Sequence, residues 1–297
     1  MKTLLFTGAN GFLGKNVLPL LIDKGYKISS LGTRNTDSIC DISKEIPKLN
    51  NFDIILHAAG KAHSIPKTND EINKFYKVNY EGTKNLCKGL ENSGPPSSFI
   101  FISTVAVYGR DYGELIDESH PLNAETPYGK SKIQAEEFLL EWCERKNVRL
   151  TILRPSLLAG RNPPGNLGAM IKGISKGMYF SIAGGETRKS IAMVNDIGRL
   201  LPYCEGKSGI FNLCDSHNPT FKELEELISR QLGKPLPINI PMRSAKCMAK
   251  IGDLCNFLPI NTQKLEKITK SLTFSNEKIK KELNFTPSDV LSNFLIY

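Results

Sequence analysis

The amino-acid sequence predicts an α/β protein: a doubly wound parallel sheet over residues 1–154, then a smaller lobe over residues 155–297. Three observations point to it. Short β-type runs alternate with stretches long enough for a helix, a glycine-rich turn directly follows the first run, and the alternation loses its regularity after Arg154.

Strands are expected at residues 3–6, 27–31, 54–56, 99–103 and 150–153. The first helix is expected from Gly11 to Gly25, with Leu13, Val17, Leu20 and Leu21 on one face. Pro19 falls inside it, where a missing N–H disturbs a helix unless packing compensates. Beyond Arg154, the residues Pro155, Pro163, Pro164 and Gly165 mark a change of organisation. The lobe that follows is assigned to substrate binding, with segments free to return to the sheet. Within it, residues Phe221–Leu232 and Glu277–Leu283 have the apolar spacing of amphipathic helices.

A chain of 297 residues can bury a substantial core, and 40% hydrophobic with 23% charged residues is an ordinary globular composition. The N-terminal apolar run meets Gly8 before an export signal can form, and no apolar run approaches the ~20 residues of a membrane span. A cytoplasmic protein with no membrane partner is expected. Seven cysteines without metal-ligand spacing read as reduced thiols, and no metal is expected. The formal charge of +9 suits an anionic substrate, whereas dispersed basic residues without interleaved aromatics argue against nucleic acid.

The glycine-rich turn, residues 7–14, carries the first chemistry. Gly8 permits a tight turn, Gly11 a close backbone approach to a pyrophosphate, and Gly14 close helix packing. Phe12 and Leu13 open a helix whose N–H groups face the anion. This is the fingerprint of a Rossmann-type dinucleotide site, and a ligand-free glycine turn is the alternative. After the second strand, Thr33 and Arg34 stand where an acid would bind a ribose 2′-hydroxyl. Arg34 suits a 2′-phosphate, so NADP(H) is expected over NAD(H); a solvated arginine is the alternative. Asp41 is matched to the adenine amino group or to a turn cap, with Ile42 beside the ring. Ala58, Ala59 and Gly60 are small enough for a flat cofactor to approach, and His57 reads as structural.

Tyr128 and Lys132 lie four residues apart near the start of a helix opened by Pro127, hence on one face. An ammonium beside a phenol favours the phenolate, which can remove an alcohol proton or return it. Thr104, after the fourth strand, can hydrogen-bond the reacting oxygen. A solvated helix face and strand packing are the plainer alternatives.

Together the turn at residues 7–14, His57 to Gly60, Val78 to Thr83, Ser103 to Gly109 and Tyr128 to Lys132 resemble the extended short-chain dehydrogenase/reductase family. The branch resembled is that of nucleotide-sugar epimerases, dehydratases and reductases. The resemblance implies a catalytic set of Thr104, Tyr128 and Lys132, with Asn79 lining the cofactor site. It implies that Asn166, Leu167 and Lys189, or Arg188 beside it, meet the substrate, with Ser103 and Tyr108 facing the sugar. Val105 and Ala106 stand where 4,6-dehydratases carry an acidic pair, which disfavours dehydration. The expected activity is hydride transfer at C4 of a UDP-linked hexose or 4-keto-hexose, as 4-epimerase or 4-ketoreductase, in polysaccharide precursor synthesis. A non-catalytic NADP(H)-sensing protein is the alternative. The family also implies a homodimer through residues 70–91 and 128–144.

Overall fold

Apolar runs bounded by turn residues become strands buried on both faces, as a sheet covered by helices on either side requires. The computed structural model describes residues 1–62, 64–254 and 261–296. In chain order the strands are β1 (Thr3–Thr7), β2 (Lys27–Gly32), β3 (Ser38–Ile39), β4 (Ile54–His57), β5 (Ser98–Ile102), β6 (Gly113–Ile116), β7 (Arg149–Pro155), β8 (Leu157–Ala159), β9 (Phe180–Ile182), β10 (Ile191–Met193), β11 (Gly209–Leu213), β12 (Ile238–Ile240) and β13 (Leu272–Phe274). Seven of them form one parallel sheet in the order β11-β7-β5-β4-β1-β2-β3. Strand order reverses between β1 and β4, the place where doubly wound sheets bind ligands.

Helices follow as α1 (Phe12–Asp23), α2 (Asn69–Tyr76), α3 (Gly82–Ser93), α4 (Pro127–Arg145), α5 (Gly165–Ser175), α6 (Asn195–Cys204), α7 (Phe221–Leu232), α8 (Met242–Leu254), α9 (Thr262–Thr269), α10 (Glu277–Leu283) and α11 (Val290–Asn293). A π-helical turn, Lys77–Glu81, joins α2 to α3. Side chains alternate along β1: Leu4 and Phe6 pack with Val17 and Leu21 of α1, Ile197 and Leu200 of α6 and Ile279 of α10. Leu5 packs the other way, with Leu86 of α3 and Leu139 and Trp142 of α4. Two helical layers therefore cover the sheet, each buried Leu contributing roughly 1.5–3 kcal/mol. Pro19 sits within α1 as expected, and its exposed position keeps the ring out of the helix–sheet contact.

Residues beyond 154 divide between sheet and lobe. α6, β11 and α10 complete the doubly wound unit, while α5, α7 and α11 pack with β8 and β10 around Leu167, Ile191, Leu224 and Val290. A second small cluster joins α8 and α9 to the ribbon of β9 and β12. Among the described residues, no helix is long and apolar enough to cross a membrane.

Candidate active site

The chain leaves β1 at Thr7 and turns at Gly8, whose φ is +82°, before α1 begins. A Cβ at Gly8 would sit 2.7 Å from the Ala59 amide nitrogen, so both backbone angle and space demand glycine. At Gly14 a Cβ would come within 2.2 Å of the Ala9 carbonyl oxygen, which fixes the first turn of α1 against the loop. Phe12, Leu13 and Gly14 open the helix, where the first N–H groups have no intrahelical partner.

This loop and the ends of β2 and β4 enclose a cleft of about 530 Å³, lined by Gly8, Gly11, Thr33, Arg34, Asp41, Ile42, Ala58, Ala59 and Gly60. The bare glycine backbone, the helix start and the position at the switch point fit a dinucleotide. Asn10, Thr36 and Ser43 also line it without a role expected from sequence, as does Val78, which opens the segment before Asn79. Asn10 carried a usable signal, as a polar residue inside the glycine turn; its amide donates to the Arg34 carbonyl and steadies the β2 loop. Asp41 accepts from the Ser43 hydroxyl at 2.6 Å and the Ser43 amide at 3.2 Å, and these bonds hold its carboxyl below the usual range. It therefore caps a turn in the cleft wall. The acid that follows β2, Asp37, is bound to the Ser30 amide and hydroxyl at 2.7 and 2.8 Å, while Arg34 is exposed at the cleft.

Thr126 accepts from the Gly129 amide at 3.1 Å and Pro127 takes the first helical position, so α4 starts with Tyr128 in its first turn. Tyr128 is partly buried. Burial raises its phenol above the ordinary value, and a hydrogen bond with the Thr104 hydroxyl acts in the opposite direction. One turn on, buried Lys132 donates to the Ile102 carbonyl at 2.7 Å and lies 4.2 Å from the centre of the Phe101 ring. Burial pulls its ammonium down to about 7, opposed by the charge of Glu136. Spacing suggests that Lys132 lowers the phenol; in the folded chain desolvation dominates both groups, and Thr104 supplies the pull toward phenolate.

Asn79 binds this corner together from the π-helical turn, a device common at functional sites. Its amide donates to the Lys61 carbonyl at 3.1 Å and to Ser131 Oγ at 2.9 Å, and its oxygen accepts from the Lys61 amide at 2.7 Å. A Cβ at Gly60 would lie 3.2 Å from Asn79 Oδ1 and 3.7 Å from Lys132 Nζ. Gly60, which lines the cleft, thus lies against Asn79 and Lys132, and Tyr128 stands one turn before Lys132 on α4.

Ser103 and Tyr108 belong to a buried network instead. Ser103 donates to Glu136, which forms a two-pronged ion pair with Arg154 at 3.1 and 2.6 Å. Arg154 also donates to the Tyr108 hydroxyl at 3.1 Å, and that hydroxyl donates to Asn212 at 2.7 Å. The network clamps both ends of the segment that carries Thr104. Removing one partner of such a pair typically costs about 3–5 kcal/mol. No local sequence signal joins residues 103, 136 and 154.

In the lobe, Asn166 is exposed at the start of α5 and Leu167 is buried in its core. A cleft of about 300 Å³ lies against α5, lined by Gly160, Asn162, Pro163, Gly168, Ile171, Lys172, Ser175 and Ile296. Arg188 donates to the carbonyls of His217 and Asn218 at 3.3 and 3.0 Å. Lys189 donates to those of Lys267 and Lys270 at 2.9 and 2.8 Å, and burial lowers it to about 8. Both cations are committed to the main chain.

His57 is fully buried between the hydroxyls of Thr7 at 2.6 Å and Thr83 at 2.9 Å. Burial, with help from the Lys132 charge, lowers it to about 3, so it is a neutral structural residue. Cys40, Cys87, Cys143, Cys204, Cys214 and Cys247 are free thiols, and Cys255 lies outside the described residues. Among the described residues, no cluster of His, Cys, Asp and Glu is placed to hold a metal.

A parallel sheet with a glycine-lined cleft at its switch point, and a helix whose Lys132 approaches Gly60 of that cleft, defines the class of dinucleotide-dependent enzymes. The chain belongs to the NAD dependent epimerase/dehydratase family, whose model matches residues 4–203. It is similar to the N-acetyl-alpha-D-glucosaminyl-diphospho-ditrans,octacis-undecaprenol 4-epimerase of Escherichia coli O157:H7, 29% identical over 294 residues, covering 93% of this chain and 84% of the relative. It is also similar to the UDP-glucose 4-epimerase of Vibrio cholerae, 26% identical over 317 residues, covering 98% and 92%. Its fold matches the solved UDP-N-acetylglucosamine 4-epimerase from Bacillus cereus with a TM-score of 0.77 at 19% identity, covering 97% and 95% of the two chains.

Proposed function

We propose that the protein is a 4-epimerase of a sugar carried on a diphosphate, with Tyr128 as the proton-transfer group. The observation that carries this reading is that Gly60 of the glycine-lined cleft lies against Asn79 and Lys132, with Tyr128 one turn before Lys132 and hydrogen-bonded to Thr104. The C4 position is supported by the E. coli and V. cholerae relatives, which match the chain nearly end to end.

Gly8, Gly11, the first turn of α1, Thr33, Arg34, Ala58 to Gly60 and Asn79 would hold the dinucleotide, and when bound its nicotinamide supplies a hydride acceptor and donor. The chain's own residues handle the proton. Tyr128 takes it from the sugar hydroxyl and later returns it, with Thr104 donating to the same oxygen. Lys132, held by the Ile102 carbonyl beside Gly60, would add positive charge at this corner when protonated. Val105 and Ala106 offer neither acid nor base, which supports hydride return over water elimination.

Arg34 at the cleft, with Asp37 tied to Ser30, supports NADP(H) over NAD(H). The same observation favours a second reading, a 4-ketoreductase, since a reductase releases its oxidised cofactor after one transfer. The sugar's carrier is read as UDP; the E. coli relative, named for a polyprenol-linked sugar, supports a lipid carrier in its place.

The test is incubation of the purified protein with UDP-N-acetylglucosamine, UDP-glucose and polyprenyl-diphosphate N-acetylglucosamine, without added reductant. Proton NMR then follows the configuration at C4. Interconversion of the two C4 epimers without net cofactor turnover is expected. Stoichiometric oxidation of NADPH on a 4-keto sugar, without epimerisation, would replace this reading with the reductase one.

A further inference from the structure

The ribbon of β9 and β12 is apolar on a face that is exposed at one end among the described residues. Phe180 pairs with Ile238 and Ile182 with Ile240, so all four share one face by the two-residue period. Ile182 and Ile240 pack against Ala245 and Ala249 of α8 and Leu265 of α9. Phe180 and Ile238 lie beyond that cover, 49% and 71% exposed, and two residues upstream Met178 and Leu236 are 65% and 60% exposed. Pro235, Pro237 and Pro241 stiffen the second strand, so little conformational freedom is lost if these side chains enter another phase. Along α8 a further apolar stripe, Met248, Ile251 and Leu254, faces out.

Charge selects what covers this surface. Residues 165–186 and 234–254 contain Lys172, Lys176, Lys234, Arg243, Lys246 and Lys250, all exposed, against two exposed acids, Glu186 and Asp253. A second copy seated by two-fold symmetry would bring these cations against themselves. Anionic headgroups neutralise them while the apolar side chains enter the interface.

We propose that the bare end of the β9–β12 ribbon, with the cations of α8, docks the lobe on an anionic bilayer, where the diphosphate sugar is presented on a polyprenol. This rests on the lipid-carrier form of the function proposed above.

The test is flotation of the full chain with vesicles of phosphatidylethanolamine and phosphatidylglycerol, and with phosphatidylcholine alone, at low and high salt. Binding to the anionic vesicles at low salt is expected, weakened at least five-fold by Phe180→Ser with Ile238→Ser, and comparably by Lys246→Gln with Lys250→Gln. Both double variants should turn over UDP-sugar like the parent, which establishes their folding, and lose about ten-fold on polyprenyl-diphosphate sugar in vesicles. Equal flotation of parent and variants, no flotation of the parent, or a parent dimer in sedimentation velocity that the Phe180 and Ile238 changes dissolve would each overturn the docking surface. Tyr128→Phe should float unchanged. Flotation without turnover of any sugar would sink the enzymatic reading and leave the surface standing.

Discussion

Two cations of this molecule look equivalent in the sequence and differ in the fold. Arg34, at the mouth of the dinucleotide cleft, is exposed and forms no ion pair among the described residues. Lys189, in the lobe, is half-buried and donates to two main-chain carbonyls. The difference teaches that a charge near a site is available to a ligand only when its hydrogen-bonding capacity is not already committed within the chain. The same division separates Tyr128, which is partly exposed beside Thr104, from His57, which is closed between two threonines.

The largest effect that can break this division is at Tyr128. Tyr128→Phe should lower kcat by roughly 10²- to 10⁴-fold while dinucleotide affinity, followed by fluorescence titration, stays near that of the parent. A variant with parental kcat would remove the phenol from the chemistry. Next comes Arg34→Gln, expected to weaken NADPH by about 10- to 100-fold through loss of a charge-assisted bond, and NADH hardly at all. Equal losses for both would make Arg34 a general electrostatic residue.

The committed groups should answer through stability. His57 titrates at about 3 in the fold and 6.5 when exposed, so the unfolded chain binds the extra proton between those values. Its contribution is complete above pH 6.5 and is lost as pH falls toward 3, about 2 kcal/mol by pH 5. Urea midpoints should therefore fall more steeply from pH 7 to 5 in the parent than in His57→Gln; parallel slopes would contradict a neutral buried ring. The smallest effect is expected for Lys189→Met, about 1 kcal/mol of stability with KM for a soluble UDP-sugar within roughly two-fold. A ten-fold rise in KM would show that this lysine leaves its carbonyls to meet the substrate.

What could be read in advance follows the range of the forces involved. Gly8, Gly11 and Gly14 encode their loop within seven residues, and Phe221–Leu232 starts and stops where expected because Thr220 and Glu223 cap one end and Gly233 the other. β3, two residues long, has no pattern to detect. The partners of Lys189 lie 78 and 81 residues away, and Arg154 meets Glu136 only because β7 runs beside β5 under α4. Such commitments depend on topology, so the spacing of Tyr128 and Lys132 pointed to a shared corner but not to the Ile102 carbonyl that takes the ammonium.

The wide turn at Lys77–Glu81 has a mechanical consequence. A π-helical turn carries one residue more than the α-helical path it interrupts, so α2 and α3 are joined with a phase offset of about 100°. Shortening the chain by a single residue there would restore a continuous helix and swing Asn79 off Lys61 and Ser131. The cofactor corner would then open without any of its own side chains having been altered.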